Sequence, residues 1–274
     1  MTICCLGDLV LDVIVRLEQP LATGADATSQ IVLRPGGQAA NVAAWIAALG
    51  GSARFIGKRG ADDAGVIPAM YLRELGVDIA GPVEPTGNGV IVSLVQPTGE
   101  RTMCSDRGVA VELLPEELDA VWFRDCDHLH VSGYALLREP VRLAAARAIE
   151  LARAVGARVS VDLSSWSAIR DYGAVRFRSD LMRLLPDVVF ANEDEDEILG
   201  GPIEGVTWIV KRGAAGASFD GVLRGTVPVE AVDSTGAGDA FAAGWLVGGP
   251  ALALETGARC VQQAGSMPVP EARR

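Results

Sequence analysis

A chain of 274 residues, 49% of them apolar, carries 24 basic against 35 acidic side chains, a net charge of −11. Its length suits one large α/β domain with a substantial core, and its charge argues against a general nucleic-acid or anionic-membrane surface, leaving room only for a local cationic pocket. No basic leader with an apolar centre and no apolar run of spanning length occurs, so a soluble cytoplasmic protein is expected.

Met1 to Leu6 reads as a short buried strand ending in Gly7-Asp8. Val10 to Val32 mixes β-branched residues with Pro20 and Gly24 and reads as extended, partly exposed chain. Pro35-Gly36-Gly37-Gln38 is a turn, followed by an Ala-rich helix from Ala39 to Leu49 that Gly50-Gly51 stops. A strand over Ala53 to Gly57 and a helix over Ala64 to Leu75 come next. Val90 to Val95 and Arg101 to Cys104 flank Gln96-Pro97-Thr98-Gly99-Glu100, a hairpin pattern. With the segment at 10–32 it predicts a small antiparallel flap, a β-lid formed by about 13–34 and 88–107.

Strand and helix then alternate. Strands are expected at Leu129–Ser132, Val159–Leu163, Val188–Ala191 and Thr207–Val210. Helices are expected at Val141–Ala154, around Ser179–Leu185, after Asn192 and from Ala240 to Val247. This order predicts a mainly parallel central sheet with helices on both faces. No repeat, linker or domain boundary interrupts it, so 1–274 reads as a single α/β domain carrying the lid.

The five cysteines are odd in number and form no C-x-x-C, which speaks against a disulfide framework or a zinc site. His128 and His130, the only histidines, would share a strand face, but no third metal ligand lies nearby. With histidine this scarce, a carboxylate is the expected general base.

The stretch Val232-Asp233-Ser234-Thr235-Gly236-Ala237-Gly238-Asp239-Ala240-Phe241 organises the rest. Small residues at 236–238 let the backbone approach a ligand closely, and their amides fall at a helix start, where an anion is favoured. Asp239 in that first turn has two readings: a cap of its own helix, or a base taking the proton from a hydroxyl that attacks a phosphoryl group. The G-x-G at Gly236 and Gly238 resembles a dinucleotide fingerprint only in part, because Phe241 stands where a third glycine belongs. Asn192 and Glu195, three apart, share a helix face. They either open a solvated acidic helix or hold a hydrated Mg²⁺ with nucleotide phosphates.

Gly36-Gly37-Gln38-Ala39-Ala40-Asn41-Val42-Ala43, with Gly50 and Gly60 beyond it, resembles the first signature of the ribokinase-like carbohydrate kinases, the PfkB family. The 232–241 stretch resembles the second signature, Asn192-to-Glu195 the family's N-x-x-E motif, and Lys211 to Gly216 its nucleotide-side glycine loop. The motifs come in family order over nearly the whole chain. The resemblance implies a Rossmann-like ribokinase fold with a β-lid and ATP-dependent phosphorylation of a sugar or nucleoside hydroxyl, and the few lid aromatics favour a sugar or sugar acid. It implies Asp239 as base and the amides of Gly236, Ala237 and Gly238 as anion hole. Asp12, Gly36, Gly37 and Asn41 fall at acceptor positions, and Asn192, Lys211, Gly213, Gly216 and Thr235 at ATP positions. Glu195 would reach Mg²⁺ through water, and Asp233 with the Thr235 backbone would hold a monovalent cation, K⁺, to which the Gly265-Ser266 turn would contribute.

The chain departs from the family in three places. Only 33 residues follow Phe241 (274 − 241), which abbreviates the nucleotide-side wall. Asp162-Leu163-Ser164-Ser165 lacks the Asn that many relatives carry, and Gln38 replaces the Lys of ribokinase itself. Two other readings stay open: a nucleoside kinase of the same fold, against which the few lid aromatics tell, and a non-catalytic sugar- or nucleotide-binding protein. An exposed lid edge invites a homodimer through the lid.

Overall fold

The computed structural model describes residues 1–98 and 100–269. In chain order the first half contains β1 (Thr2–Leu6), β2 (Val10–Leu17), β3 (Ser29–Gly36), α1 (Gln38–Ala48), β4 (Ser52–Ile56), β5 (Arg59–Gly60), α2 (Asp63–Glu74), β6 (Asp78–Ala80), β7 (Val83–Glu84), β8 (Asn88–Val95) and β9 (Arg101–Gly108). The second half contains β10 (Cys126–Ser132), α3 (Val141–Ala154), β11 (Arg158–Asp162), α4 (Trp166–Tyr172), α5 (Ala174–Leu184), β12 (Val188–Asn192), α6 (Glu193–Leu199), β13 (Thr207–Lys211), β14 (Ala217–Phe219), β15 (Val222–Arg224) and α7 (Ala237–Val261).

The main sheet has the order β15-β14-β13-β12-β11-β10-β1-β4-β6. All pairs from β6 to β13 are parallel, and only β14 and β15 run antiparallel at one edge. A parallel sheet is covered on both faces, so its strands read as continuous apolar runs. Cys4, Cys5 and Leu6 of β1 and Val188 to Ala191 of β12 are accordingly fully buried. One core lies under α3, α4, α5 and α6, with Phe177 and Trp208 among its large side chains. The other lies under α1, α2 and α7 around Trp45, Phe55 and Phe190.

The chain at 10–36 and 88–108 builds a separate four-stranded sheet, β3-β2-β8-β9, in which β2 and β8 are parallel and the outer pairs antiparallel. Its two segments follow β1 and β7 in the chain.

Several expectations are corrected. The turn expected at 35–38 is shorter: Pro35 and Gly36 end β3, and Gly37 alone, at φ 104°, turns the chain into α1. The helix expected near 179–185 begins at Ala174, and α4 precedes it unforeseen, because Gly173 at φ 102° divides one polar stretch into two short helices. Val227, Val229 and Val232 precede the anion loop as irregular, exposed chain. The last helix runs past Val247 to Val261, broken where Gly249 (φ 78°, ψ −162°) precedes Pro250. By length and hydropathy α7 is the one described helix that could cross a bilayer. Its break and its buried Ala240 to Gly244 face make it a core helix instead.

His128 and His130 both bond the Ser160 hydroxyl, at 2.8 and 2.9 Å. Burial, ahead of any neighbouring charge, holds both imidazoles near pKa 3, so they are neutral core residues. No metal-sized cluster of His, Cys, Asp or Glu occurs among the described residues.

Candidate active site

The parallel strands end side by side, and four neighbours among them, β10 to β13, each end in a polar residue. Ser132 closes β10, Asp162 closes β11, Asn192 closes β12 and Lys211 closes β13. Asp8 follows β1 by two residues. The carboxyl ends of a parallel sheet are where open α/β folds bind ligands, since loops there converge on helix N-termini. α1 and α7 start at this edge, and the β-lid rises beside it.

The Gly236–Gly238 turn leads into α7. Gly236 takes φ 77°, and a Cβ there would lie 2.6 Å from both Cα and Cβ of Ser266, so only glycine fits. Asp239 stands in the first turn of α7. Asn41 Nδ2 donates to its Oδ2 at 2.7 Å, across 198 residues of sequence. Burial first, and then the Asp162 charge, push the Asp239 carboxyl up to about 8, while the Asn41 hydrogen bond and Lys211 oppose the shift. Such an acid binds a proton far more readily than an ordinary aspartate, as a base at neutral pH must.

Lys211 connects the two halves of the site. Its Nζ donates to Asp162 Oδ2 at 2.7 Å. It also lies so near the turn that a Cβ on Gly238 would sit 3.1 Å from it. Burial works against the ammonium, but Asp162 and Glu195 outweigh it and its pKa is raised. A permanent cation therefore adjoins the 236–238 turn.

On the acceptor side, Asp8 is buried and accepts from Arg107 Nη1 and from the Gln38 amide, the latter at 3.1 Å. The Arg107 guanidinium lies 3.5 Å above the Tyr134 ring, so a lid residue reaches the floor of the site. Gln38 Oε1 accepts from the hydroxyls of Ser132 and Ser164. Ser164 occupies a left-handed conformation at φ 75°, the backbone position where Asn is more usual. Asp12 lies over Gly36, where a Cβ would overlap its carboxylate, and Gly37 presses on the Asp8 carbonyl. Burial and the Asp8 charge raise Asp12 to about 7 against the pull of Arg107.

The residues expected at ATP and its metal divide. Asn192 and Glu195 form a capping box: Glu195 N donates to Asn192 Oδ1 at 2.8 Å, and Asn192 N and Nδ2 donate to Glu195 at 2.8 and 3.0 Å. Their primary local role is therefore to start α6. Burial, before any charge, lifts the Glu195 carboxyl to about 7. Gly213 and Gly216 bound one short turn after β13, where Arg212 and Gly216 close the loop by an N–H···O bond of 2.8 Å.

Mg²⁺-bound triphosphate fits this edge. The amides of 236–238 and the Lys211 ammonium offer positive charge, and Asp162, Glu195 and Asp239 add the negative charge that a hydrated divalent ion balances. At Asp233, the expected K⁺ position, both carboxylate oxygens carry protein bonds. Asp233 Oδ1 accepts from Thr235 N and Oγ1 at 3.0 and 2.7 Å, and its Oδ2 accepts from Gly265 N at 3.2 Å. These bonds make Asp233 and Thr235 a clasp for the loop, and a K⁺ there would share the carboxylate with three donors.

Sequence reasoning passed over Asp8, Arg107 and Asp162 as site residues, and treated Ser266 only as a neighbour of the cation. Position at a strand's carboxyl end was a usable signal for Asp8 and Asp162. Nothing in the sequence pairs Arg107 with Asp8.

The pfkB family carbohydrate kinase profile matches residues 1–269. The ATP-dependent ribose-1-phosphate kinase of Halopiger xanaduensis is 35% identical over 255 residues, spanning 88% of this chain and 82% of that protein. The fructokinase of Escherichia coli is 31% identical over 276 residues, 93% of this chain and 86% of its own. An uncharacterized sugar kinase of Pyrococcus horikoshii, solved in complex with ATP, superposes with a TM-score of 0.83 at 22% identity and covers 99% of this chain and 96% of that one, a likeness of fold. With its two signature turns facing one another across the sheet edge, the chain belongs to the pfkB family of carbohydrate kinases.

Proposed function

We propose that this kinase transfers the γ-phosphoryl group of ATP to a hydroxyl of a sugar or sugar acid, with Asp239 as the base. The observation that carries the reading is the Asp239 carboxylate, proton-avid and fixed by Asn41, in the same turn as the Gly236 and Gly238 amides, where the Ala237 N–H bonds Ser234 O at 3.3 Å. The acceptor O–H gives its proton to Asp239 while the oxygen's electron pair forms the bond to phosphorus. The bond from phosphorus to the bridging oxygen breaks, and ADP leaves with its electrons. The amides of Gly236, Ala237 and Gly238, with Lys211, take up the negative charge on the transferring group. Mg²⁺, when bound with ATP, would supply further charge neutralisation. Glu195 would face it through water, and Asn192, Gly213, Gly216 and Thr235 would border the nucleotide. Asp12, Gly36, Gly37 and Asn41 border the acceptor, which the lid covers.

Arg107 favours an acceptor with an anionic substituent as a second reading. A sugar phosphate or sugar carboxylate would compete with Asp8 for that guanidinium, as the ribose-1-phosphate kinase relative's name suggests. The apolar lid residues Ile31, Leu33 and Met103 are exposed. They support a homodimer through the lid, which sedimentation at increasing concentration tests. A cytoplasmic location belongs to the same reading.

The deciding experiment is ADP formation by the purified chain with Mg-ATP and a panel of fructose, ribose, ribose 1-phosphate, a 2-keto sugar acid and adenosine. Turnover with one of the sugars supports the reading. ADP release with adenosine alone makes it a nucleoside kinase, and none with any acceptor leaves a binding protein.

A further inference from the structure

The turn Gly265-Ser266-Met267 belongs to no helix or strand, yet it packs directly beneath the anion-hole loop. Ser266 is 3% exposed. Its backbone carbonyl accepts from Trp45 Nε1 at 2.8 Å, which fixes the residue against α1. Its hydroxyl donates to Asn41 Oδ1 at 3.0 Å, and Asn41 Nδ2 donates to Asp239 Oδ2 at 2.7 Å. Three side chains far apart in sequence thus form one directed chain: Ser266 to Asn41 to Asp239.

The direction follows from chemistry. An ionised carboxylate only accepts, so Asn41 must turn its NH₂ towards Asp239. Its carbonyl end then faces Ser266, and that hydroxyl must donate. Remove the hydroxyl and a buried amide oxygen loses its partner, and the amide is freer to rotate about its terminal torsion. Asn41 carries a protein bond at each end of its amide. This is a duty beyond contact with the acceptor.

We propose that Ser266 is a positioning residue for phosphoryl transfer: its hydroxyl locks the Asn41 amide, and the locked amide holds Asp239 with its other oxygen towards the acceptor hydroxyl. The proposal rests on Asp239 as the base. During transfer the acceptor's proton arrives on Asp239 Oδ1, while Oδ2 goes on accepting from Asn41. Ser266 and Asn41 neither gain nor lose a proton.

The test compares Ser266→Ala and Ser266→Thr, each in the native and in the Asp239→Asn background, with Mg-ATP and the panel acceptor turned over fastest. Ser266→Ala should lower kcat by about three- to tenfold, the worth of one hydrogen bond, with KM for ATP about unchanged. The acid limb of its pH–rate profile should move to higher pH, because the charged form of Asp239 loses support. Ser266→Thr should recover both properties, and Ser266→Ala should add no loss once Asp239 is Asn. Should the alanine chain fail to fold, Ser266→Cys, close in size but a weak donor, takes its place against Ser266→Thr. Native kcat in Ser266→Ala overturns the proposal. So does an equal loss in both backgrounds with the acid limb unmoved, which is the mark of packing alone. Failure of the base assignment itself shows separately, as near-normal turnover in Asp239→Asn alone.

Discussion

The two ends of the site are built differently. The acceptor end is closed on itself: Asp8 is tied to Arg107 and the Gln38 amide, Gln38 to two serines, and Asn41 to Asp239 and Ser266. The nucleotide end is bounded by short edge strands and an irregular loop whose Val227 and Val232 are 73% and 64% exposed. Fixed polar groups at the acceptor end hold one geometry and make specificity strict, because any group left unpaired there is costly. Exposed apolar side chains at the other end offer area without direction. On the proposed reading, a preorganised cage would hold the acceptor and a more open surface the adenine.

Lys211 stands at the junction, and its removal should change more than the loss of Asp12 or Glu195. Lys211→Met takes away a cation beside the transferred group, and kcat should fall on the order of 10²–10³-fold. It also strands the buried Asp162 carboxylate, so the chain should melt at lower temperature. Adding Asp162→Asn should restore the melting temperature but not kcat. Recovery of kcat in the double variant would show Lys211 to be a partner of Asp162 and nothing more.

Asp12→Ala should disturb the acceptor end alone. Loss of one polar partner there is worth roughly 1–3 kcal/mol, so the acceptor KM should rise by about five- to 150-fold while KM for ATP holds. A change confined to ATP would exchange the two ends. Because burial lifts the free Asp12 carboxyl to about 7, acceptor affinity should also improve as pH rises through neutrality if the ionised form accepts the hydroxyls. Calorimetric titration at several pH values reads this directly.

Glu195→Gln keeps an acceptor for Asn192 N but turns an NH₂ towards Asn192 Nδ2, so one bond of the capping box is lost. The half-saturating Mg²⁺ concentration should rise about tenfold, roughly the effect of losing an outer-shell carboxylate, with a small fall in melting temperature. An unchanged Mg²⁺ titration would leave Glu195 as a cap only. The smallest effect concerns K⁺. With the Asp233 oxygens already taken by Thr235 and Gly265, initial rate against KCl, with choline chloride matching ionic strength, should be flat. A saturable rise would show that the Gly265 amide yields its place to the ion.

Much of this was legible in the sequence, for identifiable reasons. α3 and the carboxyl-terminal strands announce themselves by apolar runs and periodicity, and the 232–241 turn by small residues before a helix. α4 escaped because its seven polar-rich residues show no period, and β14 and β15 because three-residue strands carry no pattern. At the site, Asp239 and Asn41 were legible as motif members, but their mutual bond was not. Nor were the Lys211–Asp162 and Arg107–Asp8 pairs or the Ser266 chain. These are products of tertiary packing between segments separated by 49 to 225 residues. The crowding at the expected K⁺ position escaped for the same reason: Asp233 is recognisable locally, whereas the Gly265 amide that bonds its oxygen arrives from the far end of the chain.

The account turns on Asp239 as the group that accepts the acceptor's proton, and Asp239→Asn tests it most directly. Asparagine keeps the size and the bond from Asn41 by an acceptor oxygen, but it cannot take a proton. With Mg-ATP and the best acceptor, kcat should fall on the order of 10²–10⁴-fold. Acceptor binding by calorimetry should persist. The variant should also resist unfolding better than the native chain above neutral pH. A carboxyl raised from 3.8 to about 8 is stabilising only while protonated, and loses that stability as pH rises through its folded-state value. A folded Asp239→Asn chain that phosphorylates the acceptor at close to the native rate would contradict the account.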